Sequence, residues 1–269
     1  MSSRVLFGGS EPWPAFTAVD DRIRGGSSIS HFTVGADNLG RFHGHLDITT
    51  LGGAGFASQS ATFTPRLCLS PAHSSGLLLT FIPPTPPPAS QRNTLSLLPA
   101  HAPHKFVLLL KNEKPKKMED GRRQSVVVYE WVLDVKDYAE YALTEQSGGR
   151  EAEKGDEEKL LGKEKKEVTV LAKWDEFKPH YRGKAKDDAP PLNPASIYEL
   201  GFMCRSNFGE QAGDFELEVI SLAEALRDKQ LERAYRWAQV LIQWLGEWKL
   251  WFLELVGLSG QRGGTVRLP

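Results

Sequence analysis

The chain has 269 residues, 40% of them hydrophobic and 25% charged, and a net charge of −1. That length supports a full hydrophobic core without disulfides, and the near-neutral balance supplies no overall field to attract nucleic acid or anionic lipid. Two widely separated cysteines, Cys68 and Cys204, exclude a C-x-x-C metal pair and a disulfide framework beyond one bridge, and fit two reduced thiols in an intracellular protein.

The first residues lack the apolar stretch of a secretory signal. Arg4 is the sole basic residue before Glu11, and Pro12 and Pro14 interrupt any helix, so a mitochondrial presequence is not recognisable. No run approaches the ~20 apolar residues of a membrane span. Asp20 to Ser58 is the most informative stretch, reading D-D-R-I-R-G-G-S-S-I-S-H and later G-R-F-H-G-H-L-D-I-T-T-L-G-G-A-G-F-A-S. Gly25 and Gly26, then Gly52, Gly53 and Gly55, suit backbone angles or close approaches that other residues resist.

Strands are predicted over Arg41–Ile48, Phe56–Phe63, Leu77–Ile82, Lys105–Lys111, Val126–Val132, Val168–Leu171, Tyr198–Cys204 and Asp214–Ile220. Phe42, Gly44, Leu46 and Ile48 share one face of the first, with Arg41, His43, His45 and Asp47 on the other. Phe215, Leu217 and Val219 oppose Glu216 and Glu218 in the same way. The apolar Val126–Val128 run predicts a central strand. Many short strands with turn signals, and little helical periodicity before residue 220, argue for an all-β sandwich or barrel over residues 1–222. A proline-rich insertion at 83–103 reads as an extended loop, and the mixed-charge stretch 146–167 reads as a solvated loop. Ser221-Leu222-Ala223-Glu224 fits a capping box. It predicts an amphipathic C-terminal helix over 223–256, with Trp237, Leu241, Trp244, Trp248, Trp251, Phe252 and Leu255 on one face. This stripe is a candidate contact for the sandwich, a partner groove or a membrane surface. Residues 257–269 read as an unstructured tail.

Each candidate site has a structural alternative. Asp20, Asp21 and Arg22, followed by Ser27 and Ser28, read either as a partner- or ligand-binding loop or as a capped turn whose arginine pairs with a carboxylate; the structural reading is favoured. Arg182-Gly183 is a second such case, and Arg22 or Arg182 is expected to meet Asp20 or Asp21 across the fold. His43 and His45, at i and i+2, have two-histidine metal geometry, but no third ligand is indicated and no metal is assigned. Trp13, Trp131 and Trp174 are either core residues or a stacking platform, with Trp174 the best exposed. Gly183 and Gly201 join the structural glycines. There is no G-x-S-x-G elbow and no dinucleotide-binding glycine loop before a helix, so no catalytic residue and no cofactor are assigned. An enzyme would require a cleft in which a carboxylate and a histidine converge.

The Asp20–Ser58 motifs, with K-F-V-L-L-L-K-N-E (Lys105–Glu113), G-R-R-Q-S-V-V-V-Y-E-W (Gly121–Trp131), W-D-E-F-K-P-H-Y-R-G (Trp174–Gly183), L-G-F-M (Leu200–Met203) and D-F-E-L-E-V (Asp214–Val219), resemble the complex I intermediate-associated protein family in its fungal form. The resemblance covers Phe7 to Leu222. It implies a galactose-binding-like jelly-roll sandwich and a non-catalytic, chaperone-like role in assembling mitochondrial complex I, with complex I subunits or other assembly factors as partners. The alternative is a carbohydrate- or small-ligand-binding module. A mitochondrial location is implied by the family, and a cytoplasmic one by the N-terminal residues. The proline-rich insertion and the C-terminal helix depart from the family pattern.

Overall fold

A computed structural model describes residues 2–84, 101–116, 118–119, 124–139 and 166–227. Apolar–polar alternation becomes strand pairing along the whole described chain. The strands are β1 (Ser3–Gly8), β2 (Thr17–Ala18), β3 (Ile29–Val34), β4 (Gly40–Leu46), β5 (Phe56–Leu67), β6 (Ser74–Ile82), β7 (Lys105–Lys111), β8 (Val128–Asp134), β9 (Val168–Lys173), β10 (Lys178–Tyr181), β11 (Lys184–Ala185), β12 (Ile197–Arg205) and β13 (Gly213–Leu226). Among the described residues, one α-helical turn, α1 (Lys136–Ala139), and two 3-10 turns, Asp21–Arg24 and Trp174–Glu176, interrupt them.

All pairings are antiparallel. One sheet runs β3-β4-β13-β6-β9, the other β11-β10-β8-β7-β12-β5-β2. The long β13 organises the first sheet. One of its edges takes β4 over Gly213–Val219 and then β1 over Ser221–Ala225, while β6 lines the other edge. A register shift between Val219 and Ser221 inserts an extra residue, so Val219 and Leu222 both reach the core although they are three positions apart.

Phe42, Leu79, Phe81, Leu217 and Val219 of the first sheet meet Phe106, Leu108, Leu110, Leu200 and Phe202 of the second in one buried cluster. Phe202 sits at its aromatic centre, with ring centroids 5.7 Å from Phe32, 6.0 Å from Phe42 and 6.0 Å from Phe16. The predicted faces hold. Phe42 and Leu46 are buried while His45 is exposed, and Phe215, Leu217 and Val219 are buried while Glu216 is exposed. Gly44 has a reason of its own, because a methyl there would run into the Ile29 carbonyl of β3.

Three corrections concern boundaries. β8 begins at Val128 rather than Val126, although it lies between β7 and β10 as an interior strand. The strands β1, β2, β3, β10 and β11 add to those predicted. Ser221–Glu224 is not a helix cap: Leu222, Ala223 and Glu224 are paired in register with both β6 and β1. Ladders on both edges satisfy the backbone groups that a cap would serve, so tertiary pairing overrides the local signal. Ala225 and Leu226 likewise belong to β13 rather than to the predicted helix; residues 228–256 of that helix, the tail, residues 85–100 of the insertion and 146–165 of the charged stretch lie outside the described residues.

Removing a ring from the centre of this cluster leaves a cavity that rigid strands cannot close. Phe202→Ala is therefore expected to lower unfolding free energy by about 3–5 kcal/mol. Phe208→Ala, at a side chain that is 93% exposed, should shift it by no more than about 0.5 kcal/mol. Urea titration of both variants checks the contrast.

Candidate functional site

The Asp-Asp pair lies inside the protein, with Asp20 5% and Asp21 1% exposed. Asp20 Oδ1 accepts the Ser58 N–H at 2.9 Å and lies 2.5 Å from the Ser30 hydroxyl, while Oδ2 accepts the Ser30 N–H at 3.2 Å. Asp21 accepts the Ser28 N–H at 3.1 Å, the Ser28 hydroxyl at 2.8 Å and the Phe56 N–H at 3.1 Å. Ser30 belongs to β3 of one sheet, whereas Phe56 and Ser58 belong to β5 of the other. The two carboxylates therefore stitch the sheets together at this edge. Gln59 adds a bond from its Nε2 to the Ser30 carbonyl at 2.8 Å.

The glycines answer to this knot. Gly25, at φ +84°, ends the 3-10 turn in a left-handed conformation, and a methyl on Gly26 would strike the Asp21 carboxylate. Gly55 and Gly201 are close backbone approaches, to the Asp47 carbonyl and to the Gln59 carbonyl respectively. Gly52 and Gly53 have positive φ in the turn before Phe56. Asp47 anchors the start of that turn, its carboxyl pulled down to about 2 by the hydroxyls of Thr50 and Thr49. The stability it lends is present above its ordinary value of 3.8 and is lost as pH falls toward 2.

Arg22 does pair with Asp20, but at 3.9 Å and with its own side chain 60% exposed, so hydrogen bonds are the stronger hold on the buried carboxylates. The expected cross-fold contact from Arg182 is absent. Its Nε bonds Ser125 Oγ at 3.3 Å, and its guanidinium lies 5.3 Å from the Tyr181 ring centroid. Ser27 is exposed and joins neither carboxylate.

What the knot positions is Arg24, the last residue of its turn. Arg24 sits 5.5 Å over the Phe56 ring at one side of a cleft of about 830 Å³ on the outer face of the second sheet. The floor is a cross-strand row, Met203 of β12 against Val107 of β7 against Val132 of β8. At the far side, Arg182 and Gly183 form the two-residue turn between β10 and β11, both with positive φ (52° and 77°), which is the turn geometry that suits a hairpin and favours glycine. Arg24 and Arg182, 158 positions apart, thus line one cavity. Five Lys or Arg side chains line it (Arg24, Lys105, Arg182, Lys184 and Arg205), against the two carboxylates of Glu130 and Glu210. Glu130 is held by Arg205 Nη1 at 2.6 Å with His180 Nδ1 at 3.5 Å, and Lys105 pairs with Glu210 at 3.3 Å.

Glu130 and His180 do converge, but the carboxylate is engaged by a guanidinium and His180 Nδ1 also lies 3.1 Å from the Lys178 carbonyl. The Ser206 hydroxyl in the same cleft donates to the Gly53 carbonyl at 2.8 Å and accepts the Gly55 N–H at 2.9 Å. These groups are arranged to hold charge and shape. The residues that sequence reasoning missed, Lys105, Glu130, His180, Met203 and Arg205, are the outward members of alternating strands. That periodicity was readable, but not which strands would lie side by side.

Other candidates lie elsewhere. Trp174 is half-buried, its indole N–H 3.3 Å from the Ser74 carbonyl and its ring 6.2 Å from Phe177, so it is not an exposed platform. Trp13 bonds the Asn38 carbonyl, and Trp131 bonds Glu176. None of the three lines the large cleft. His43 faces His31 on the first sheet with ring centroids 5.5 Å apart, and His45 Nδ1 lies 2.7 Å from Asp214. Among the described residues no three His, Cys, Asp or Glu side chains are placed to hold a metal ion, and no helix is long and apolar enough to cross a membrane.

Asp21→Ala strands the buried N–H of Ser28 and the part-buried N–H of Phe56, and is expected to cost about 2–6 kcal/mol at roughly 1–3 kcal/mol per orphaned donor, measured by denaturant unfolding. Burial pushes the Cys204 thiol pKa up, whereas Cys68 is exposed. Iodoacetamide should therefore modify Cys68 alone in the native protein and both thiols after unfolding, as read by peptide mass spectrometry.

Comparison with known proteins places this geometry. Residues 5–80 and 133–219 match the model of the family described as Complex I intermediate-associated protein 30 (CIA30). An uncharacterized protein of Schizosaccharomyces pombe is 31% identical over 224 residues, covering 81% of this chain and 82% of that protein. Among solved structures, the family 11 carbohydrate-binding module of the cellulase Lic26A-Cel5E from Clostridium thermocellum aligns at a TM-score of 0.44 and 7% identity, over 84% of this chain and 95% of that one, a likeness too distant to transfer a ligand. The matched intervals contain the Asp20–Asp21 knot, Arg24, and the Arg182–Gly183 turn, and on this evidence the chain belongs to the complex I intermediate-associated protein 30 family.

Proposed function

We propose that this protein is a non-catalytic assembly factor that holds intermediates of mitochondrial complex I, and that the cleft on the outer face of the second sheet is its contact surface. The observation that carries this reading is the convergence of Arg24 and Arg182 on one apolar-floored cavity. Each comes from one of the two loops that sequence analysis marked as polar sites. A rigid, pre-formed concave surface with a few fixed charges suits recognition. Family membership supports the choice of partner class, complex I subunits or their other assembly factors. It also supports a mitochondrial location and a galactose-binding-like jelly-roll description of the sandwich.

The mechanism is differential affinity. A protein that leaves on completion must bind the intermediate more tightly than the finished complex. A hundredfold preference corresponds to about 2.8 kcal/mol, within reach of a few contacts that exist only while a partner surface is uncovered. The ion pairs lining the cleft keep Arg205 and Lys105 oriented without closing it.

Disruption of the gene is expected to reduce assembled complex I on native gels and to accumulate membrane-arm subcomplexes. Unchanged complex I in the disrupted strain rejects the role.

A further inference from the structure

The charges of the cleft are unequal in their pairing. Arg205 and Lys105 have carboxylate partners, whereas Arg24, Arg182 and Lys184 form no ion pair among the described residues. These three cations are not clustered. Arg24 stands over Phe56 on β5, while Arg182 and Lys184 stand at the β10–β11 turn. Between them lie β8, β7 and β12, so the two positive ends are four strand spacings apart, or about 19 Å along the sheet at ~4.8 Å each. The floor between them is the apolar row Met203, Val107 and Val132, with Phe208 almost wholly exposed at the rim.

This separation selects the ligand. A lone phosphate or carboxylate would engage one end and leave the other end and the apolar floor uncovered. An extended chain of about six residues, at ~3.3 Å per residue, spans both ends. We infer that the cleft binds an extended acidic segment of a partner protein, with carboxylates at both ends and apolar side chains between them. This deepens the docking role proposed above and rests on it for the choice of a protein ligand.

Fluorescence anisotropy with a labelled peptide Asp-Glu-Leu-Val-Leu-Glu-Asp tests the inference, with Lys-Lys-Leu-Val-Leu-Lys-Lys as the charge-reversed control. The acidic peptide is expected to bind at least tenfold more tightly, and more weakly as salt rises. Arg24→Glu and Arg182→Glu together should weaken binding at least tenfold, while Arg66→Glu, at an exposed position ten residues along β5 from Phe56, should leave it unchanged. A peptide lacking the acidic pair at one end should become insensitive to one of the two reversals. The substituted side chains are exposed, and circular dichroism melts confirm that each variant is folded. Absence of binding, equal sensitivity to Arg66→Glu, or full competition by millimolar inorganic phosphate overturns the inference. So does a preference for phosphatidylserine vesicles with the same arginine dependence. If gene disruption impairs complex I but the peptide does not bind, this inference alone fails. If the peptide binds and complex I assembles normally, the cleft assignment stands and the cellular role falls.

Discussion

Removing a carboxylate from water costs far more than removing a neutral group, and the charge survives only where hydrogen bonds replace its hydration. Asp20 and Asp21 meet that condition in an uncommon way. Their oxygens accept backbone N–H groups from β3 in one sheet and β5 in the other, so desolvation of the pair is offset by closure of the sandwich. Neither sheet supplies the full set of donors by itself. The knot forms only when both layers are in register, and it therefore serves as a register check as well as a clasp.

The glycines and serines around the pair follow from this geometry. Ser28 and Ser30 each contribute a backbone N–H and a hydroxyl to the carboxylates, which an apolar side chain could not do. Gly26 leaves room for the Asp21 carboxylate, and Gly25 turns the chain with a positive φ. The turn then ends with Arg24 directed over Phe56, the same residue whose N–H binds Asp21. The buried carboxylates and the exposed Arg24 thus share one short stretch, and the buried half fixes the position of the exposed half.

The cleft itself arises from the second sheet. Its inner face is committed to the core through Phe106, Leu108, Leu110, Leu200 and Phe202. The period of two then sends Lys105, Val107, Glu130, Val132, Met203 and Arg205 outward on neighbouring strands. The Glu130–Arg205 ion pair at 2.6 Å fixes one wall. A guanidinium held in this way keeps one orientation at the surface of the cleft.

Local chemistry made the strands, their inward faces and the special status of Gly25, Gly26, Asp20 and Asp21 legible from sequence, because alternation and turn residues act over a few positions. The same locality misled at Ser221–Glu224, where a helix-cap pattern is overridden by ladders to β1 and β6 that come from distant parts of the chain. At Trp174 it left a core and a surface reading open, because the surroundings of that ring depend on Ser74, 100 positions away. Strand order, the partners of the buried carboxylates and the placing of Arg24 and Arg182 at opposite ends of one cleft were decided by the tertiary structure alone. Each depends on which strands lie side by side, and a pattern with a period of two assigns a residue to a face without naming the neighbour it will find there.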